Sequence, residues 1–111
     1  MNTISWKDFE GLDMRVGTII EVQDFPEINK PSYKVWVDFG KEIGIKKTSA
    51  QITQLYSKGE LIGKQIIGVI NLGPKQIGNF MSEFLITGVQ TEHGVVLTTV
   101  DSNVLNGIKL S

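Results

Sequence analysis

Residues Ile45 to Gly88, IKKTSAQITQLYSKGELIGKQIIGVINLGPKQIGNFMSEFLITG, decide the fold. A strand over Ile43 to Ser49 leads in, and Ile52, Leu55 and Tyr56 then recur at helical spacing, which predicts a short helix over Ser49 to Tyr56. Gln65 to Leu72 is rich in valine and isoleucine and predicts a strand. Gly73 to Glu83 reads as a loop whose glycines permit close backbone approach, with Phe80 and Met81 placing apolar groups where loops are normally polar. Phe84 to Val89 predicts a further strand, and Val95 to Thr99 a last short one.

Upstream, Met14, Val16, Thr18, Ile20 and Val22 alternate with Arg15, Gly17, Ile19 and Glu21, the period of two expected of a long first strand. Gly17 inside it predicts a bulge or bend, the device by which one strand of a small barrel serves two sheets. Pro26 and Pro31 make Phe25 to Ser32 a loop, since proline cannot donate to a ladder. Tyr33 to Phe39 alternates again, with Tyr33, Val35, Val37 and Phe39 on one face and Lys34, Trp36 and Asp38 on the other. Gly40 to Gly44 turns the chain into the next strand. Ser5-Trp6-Lys7-Asp8 reads as a capping box opening a short helix that ends near Glu10 or Gly11, with Trp6, Phe9 and Leu12 on one face. Five or more short strands, glycine-marked bends and a helix in the middle fit an all-β protein, an OB-fold five-stranded Greek-key barrel with short helices.

A chain of 111 residues fits one domain over 1–111. It has no cysteine, which excludes a disulfide framework and thiolate metal sites. Met1 to Leu12 lacks a basic stretch followed by an apolar run, and no segment approaches the ~20 apolar residues that span a bilayer. A cytoplasmic protein without membrane insertion is therefore expected. The net charge of −1 argues against nucleic acid, whose binding depends on lysine and arginine, but its distribution argues the other way. Residues 1–29 hold two basic against six acidic side chains, residues 30–75 eight lysines against three acids, and residues 76–111 one against three. Either the middle third forms a polarised face, or its lysines solubilise strand edges.

The succession DMRVGTI (13–19), FPEINKPSYKVWVDFG (25–40), KKTSAQIT (46–53), ELIGKQIIGVINL (60–72) and PKQIGNFMSEFLITG (74–88) resembles the tRNA-binding domain appended to methionyl- and other aminoacyl-tRNA synthetases. It is most similar to the free-standing bacterial form of that domain, the CsaA proteins. The resemblance implies a homodimer joined through terminal extensions, here 1–12 and 99–111, with Trp6, Val100, Val104, Leu105, Ile108 and Leu110 at the interface; alternatively, the apolar tail folds back on its own barrel. It also implies that Ser82 lies at an RNA-binding rim with Asn71 nearby. CsaA-type proteins are further associated with export-related chaperone activity, so unfolded polypeptides or export machinery are the alternative partners to tRNA. Two departures stand out. Ser82 is followed by Glu83-Phe84 where the family often has Gly-Met, putting a negative charge in the expected RNA path, and Val100 and Leu105 replace frequent prolines.

Catalysis finds little to work with. His93, the single histidine, sits in the Thr91-Glu92-His93-Gly94 turn, where a solvated side chain is the plain reading, and Ser82 beside Glu83 has no third group to orient it. No metal-ligand spacing or phosphate loop is present, so a non-enzyme without metal or cofactor is expected. Binding is better supported. OB-folds take nucleic acid on the face of strands two and three between flanking loops. Those segments carry Lys30, Lys34, Trp36, Lys46, Lys47, Ser49, Asn71, Lys75, Gln76, Asn79, Phe80, Met81 and Ser82, with lysines for phosphates, aromatics for unpaired bases and amides for base edges. Strand parity makes Tyr33 a core residue and lets only one of Lys46 and Lys47 face the groove. For an unfolded polypeptide, Trp36, Phe80 and Met81 offer adaptable apolar contact; alternatively, Phe80 and Met81 plug the barrel mouth.

Overall fold

A computed structural model describes residues 1–111 and contains a five-stranded antiparallel sheet in the order β3-β2-β1-β4-β7, curled into a nearly closed barrel of the OB type. The strands are β1 (Met14–Asp24), β2 (Tyr33–Asp38), β3 (Ile45–Ala50), β4 (Gln65–Val69) and β7 (Leu85–Ile86). Two hairpins lie outside the sheet, β5 (Lys75–Ile77) with β6 (Phe80–Ser82) and β8 (Gly88–Thr91) with β9 (Gly94–Leu97). None of the helices is long and apolar enough to cross a membrane.

Strand β1 serves two neighbours in succession. Met14 to Thr18 pairs with β4 and Thr18 to Asp24 with β2, the register slipping between Ile19 and Glu21. The bulge is thus at Ile20, not at Gly17. Gly17 meets a different demand, because a Cβ there would stand 2.5 Å from Val37 Cγ1 and 2.8 Å from Phe39 Cδ1. Removing that side chain lets β1 close over the core. Ile19, Val35, Val37, Phe39, Leu61 and Ile66 are all buried in that core, with the Phe39 and Phe84 rings crossing edge to face at 5.0 Å. Burial of each such side chain contributes about 1.5–3 kcal/mol. Tyr33 joins them as parity requires, its hydroxyl donating to Tyr56 O at 2.8 Å.

The helix predicted over Ser49 to Tyr56 does not form. Strand β3 runs to Ala50, the chain turns through Gln51 to Tyr56, and a single helical turn, α2 (Lys58–Leu61), follows. Tertiary contacts override the local spacing. Ile52 drops into the core, while Tyr56 accepts from Tyr33 and its hydroxyl accepts the Leu97 N–H at 3.0 Å. Ser57 and Glu60 cap α2 reciprocally, the arrangement Ser5 and Asp8 provide for α1 (Trp6–Glu10). Gly73 to Glu83 is likewise more ordered than a loop, because Gly78, at φ 57°, starts the two-residue turn of the β5–β6 hairpin. The strand expected over Phe84 to Val89 is split into β7 and β8 at Thr87, where the chain leaves the barrel sheet for the outer hairpin.

The tail folds onto its own barrel. Val16 N–H donates to Ile108 O, Gly107 N–H to Val16 O and Leu110 N–H to Met14 O, which covers the edge of β1 that β2 leaves free. Arg15 reinforces this by bonding Gly107 O at 2.9 Å and Asp13 Oδ1 at 2.6 Å. The pairing uses the tail's backbone and leaves Leu105 and Ile108 exposed, and Trp6 on α1 is 83% exposed.

Candidate nucleic-acid interface

Alternation along β2 turns Lys34 and Trp36 outward, and the register sets Ser49 opposite Lys34 and Lys47 opposite Trp36 on β3. Four of the predicted residues therefore share one face. Lys46 pairs with Val37 and takes the opposite parity, so of the two adjacent lysines Lys47 shares the face of Lys34 and Trp36.

The β5–β6 hairpin lies over this face. Phe80 and Ser82 point inward and are buried, at 7% and 8% exposure, whereas their neighbour Met81 and its partner Gln76 face solvent. Phe80 is thus not an open stacking surface. Its ring meets Phe25 edge-on at 5.7 Å and Trp36 at 5.9 Å, while the Lys34 and Lys47 ammonium groups stand 5.4 and 4.9 Å from its centroid. Lys34 also lies 4.8 Å from the Phe25 ring and 3.6 Å from Glu27 Oε2. Cations over ring faces are attracted by the ring quadrupole, and these contacts gather both ammonium groups around the ring that Trp36 also meets. Trp36 itself is half-buried.

At the hairpin's root, Ser82 Oγ accepts the Ser49 N–H at 3.0 Å and lies 3.2 Å from Ser49 Oγ. Glu83 continues the seam, its carboxylate accepting the Lys47 N–H at 3.0 Å. The negative charge expected to obstruct RNA is thereby occupied with a backbone amide. Lys75 is exposed opposite Ser82, Asn79 sits in the exposed turn, and Lys30 is exposed in the β1–β2 loop. That loop touches the hairpin, since a Cβ on Gly78 would approach Ile28 Cγ2 to 2.9 Å. Asn71 lies apart from this group. It accepts the Asp13 N–H at 2.9 Å and donates to Gly11 O at 2.7 Å, tying β4 to the junction of α1 and β1. Phe25 and Glu27 were absent from the sequence-derived site; the Phe-Pro-Glu run marks them, but nothing local shows that they reach Lys34.

Two hollows open on the surface. A cleft of about 760 Å³ opens between β3, β7 and the two hairpins; it shares Ser49, Ser82 and Lys75 with the interface, and Lys75 is the only ionisable residue in its lining. A smaller one of about 390 Å³ lies between α1 and the C-terminus, lined by Trp6, Phe9, Leu12 and Leu110. No three histidine, cysteine or acidic side chains group as metal ligands.

Residues 14–109 match the family profile described as a putative tRNA binding domain. The chain belongs to the tRNA-binding domain family. Within the family it is similar to the CsaA chaperone protein from Picrophilus torridus, with 50% identity, a TM-score of 0.93 and coverage of 98% of this chain and 100% of that one. The chaperone CsaA from Bacillus anthracis str. Ames is 40% identical with the same TM-score, over 99% of this chain and all of that one. Methionine–tRNA ligase from Pyrococcus horikoshii is 36% identical over 110 residues, which are 99% of this chain but 15% of the enzyme's length. The chain thus spans only a small part of the ligase's length.

Proposed function

We propose that this chain is a non-enzymatic, homodimeric tRNA-binding protein of the CsaA type that works in the cytoplasm and recognises tRNA by shape. The observation that carries the reading is the row of Lys34, Trp36 and Lys47 on adjacent strands, oriented together around Phe80. Lysines gathered beside a half-exposed indole suit a phosphate backbone with an unpaired base stacked alongside. Lys30, Lys75, Gln76, Asn79 and Met81 would form the rim, with Ser49 and Ser82 at its base. Phe80 acts through the lysines it orients, and Asn71 and Lys46 stand outside the contact.

The exposed apolar side chains of the two terminal segments, Trp6, Leu105 and Ile108, support a two-fold contact that would also take in Val100, Val104 and Leu110, giving two such faces per dimer. The test is filter binding of total tRNA at two salt concentrations. Affinity that falls steeply with salt supports phosphate contacts, whereas affinity unchanged between low and moderate salt would sink them.

A second reading, binding of unfolded polypeptide in the manner of a chaperone, is favoured by the cleft beside the hairpin, whose lining mixes apolar side chains with hydroxyl and amide groups and holds no carboxylate. Met81, exposed on the adjoining β5–β6 hairpin, adds an adaptable contact.

A further inference from the structure

Strands β3 and β7 are the two ends of the barrel sheet, and the gap between them is stitched at one end only. There, Glu83 N–H donates to Lys47 O, the Glu83 carboxylate and Ser82 hydroxyl accept the Lys47 and Ser49 N–H groups, and Thr48 Oγ1 donates to Phe84 O. Three of these four bonds use a side chain where a paired strand would use backbone. Beyond them the seam opens into the 760 Å³ cleft. Gln51 follows Lys47 and Ser49 on the same edge, and its N–H and C=O have no partner in the protein. On the facing wall Thr87 N–H donates to Ile67 O at 3.0 Å, so the alternation of an antiparallel ladder turns the polar groups of Ile86 away from β4, to an edge where no strand is paired.

We propose that this cleft binds an extended polypeptide segment as an added β-strand between β3 and β7, completing the barrel, with an acidic side chain of the segment at Lys75. The inference rests on the polypeptide reading above and names its mode. Unpaired strand edges are templates for another chain, and in strand addition the main-chain bonds supply affinity while pockets for alternate side chains supply selectivity. Ile52, Leu72, Leu85 and Val95 provide apolar walls for those side chains. Charge selects the occupant's end: Lys75 stands in a lining without a single carboxylate, so one acidic residue is matched there and a basic one is not. A nucleic-acid strand offers the two edges no alternating N–H and C=O groups.

The experiment uses the full chain and a fluorescein-labelled hexapeptide, Glu-Val-Thr-Val-Thr-Val. Binding is expected by anisotropy, with slowed hydrogen exchange at the Gln51 and Ile86 amides. N-methylation at two alternate residues, which removes two donors without changing side chains, should weaken it by about tenfold. Lys75→Glu should weaken the peptide and favour one that begins with Lys instead. Equal affinity of the N-methylated peptide would overturn strand addition while leaving the polypeptide reading in place. Absence of binding by any of the peptides would overturn both. Protection of the same two amides by tRNA and not by peptide would assign the cleft to RNA and overturn the inference alone.

Discussion

Glu83 meets Lys47 twice, its N–H donating to Lys47 O at 2.8 Å and its carboxylate accepting the Lys47 N–H at 3.0 Å. A side chain thus takes the place of a backbone carbonyl where the barrel closes. Because the site is open to water, its loss exposes the amide to solvent instead of stranding it, and Glu83→Ala is expected to cost about 1 kcal/mol. Glu83→Gln keeps an acceptor oxygen and should stay within about 0.5 kcal/mol of the parent. Urea denaturation of both variants checks the pair; equal loss in both would show that charge and not acceptance is what closes the seam.

The lysines are separable by strand parity. Lys34→Glu and Lys47→Glu should each weaken tRNA binding and reduce the magnitude of the logarithmic salt slope by about 1, the signature of a lost phosphate contact. Lys46→Glu, whose parity sets it with Val37, should leave both nearly unchanged. Filter binding across a salt series measures all three, and an effect of Lys46→Glu equal to that of Lys47→Glu would displace the site from the outer face.

Much of this arrangement was legible before the structure. Period-two alternation gave the faces of β2 and hence both the core role of Tyr33 and the outward direction of Lys34 and Trp36. What failed were inferences from single residues whose reasons are tertiary. Gly17 looked like a bulge because the sequence does not show Val37 and Phe39 pressing on its Cα, and Ile52, Leu55 and Tyr56 looked helical although Ile52 was claimed by the core. Two local signals were available and missed: Ser57 three residues before Glu60, which caps α2, and Gly78-Asn79, which turns the hairpin. Asn71 shows the remaining limit, since its partners Gly11 and Asp13 lie 60 and 58 residues away.

Phe80 carries the hairpin's attachment. Phe80→Ala removes a buried ring and its contacts with Phe25 and Trp36, at an expected cost of about 3 kcal/mol. It also frees Lys34 and Lys47 from the ring they stand over. Hydrogen exchange should then quicken across Lys75 to Ser82 more than across β1 or β4. Uniform acceleration throughout the barrel would mean that Phe80 belongs to the global core and not to a local latch.

Acid should weaken the tail's attachment through Asp13. The Arg15 guanidinium, bonded to its carboxylate at 2.6 Å, holds Asp13 below the usual carboxylate range, and Asp13 in turn raises Arg15. A group whose pKa is depressed on folding contributes stability that is present above its unfolded value, near 4 for Asp, and is lost as pH falls through the folded value. Asp13→Asn should therefore be less stable than the parent at pH 7, with the gap narrowing below about pH 4. Its backbone bonds with Asn71 and Ile70 are unaffected by the substitution. Denaturant titrations at several pH values measure the gap, and a gap independent of pH would attribute the loss to packing and not to the ion pair.

The proposed dimer is best tested without cutting the chain, because the tail hydrogen-bonds to Met14 and Val16 of its own barrel and truncation would expose that edge. Trp6 and Leu105 are 83% and 79% exposed and make no such contribution, so Trp6→Glu with Leu105→Glu places charge on both terminal segments at little cost to the fold. Burying two carboxylates against a second apolar surface is strongly unfavourable, and the double variant should be monomeric by light scattering. Its thermal unfolding should lose the dependence on protein concentration that a dimer imposes on the parent. A double variant that remains a dimer would move the interface off these segments, and tRNA affinity measured on a confirmed monomer would then show whether one face suffices or two must bind together.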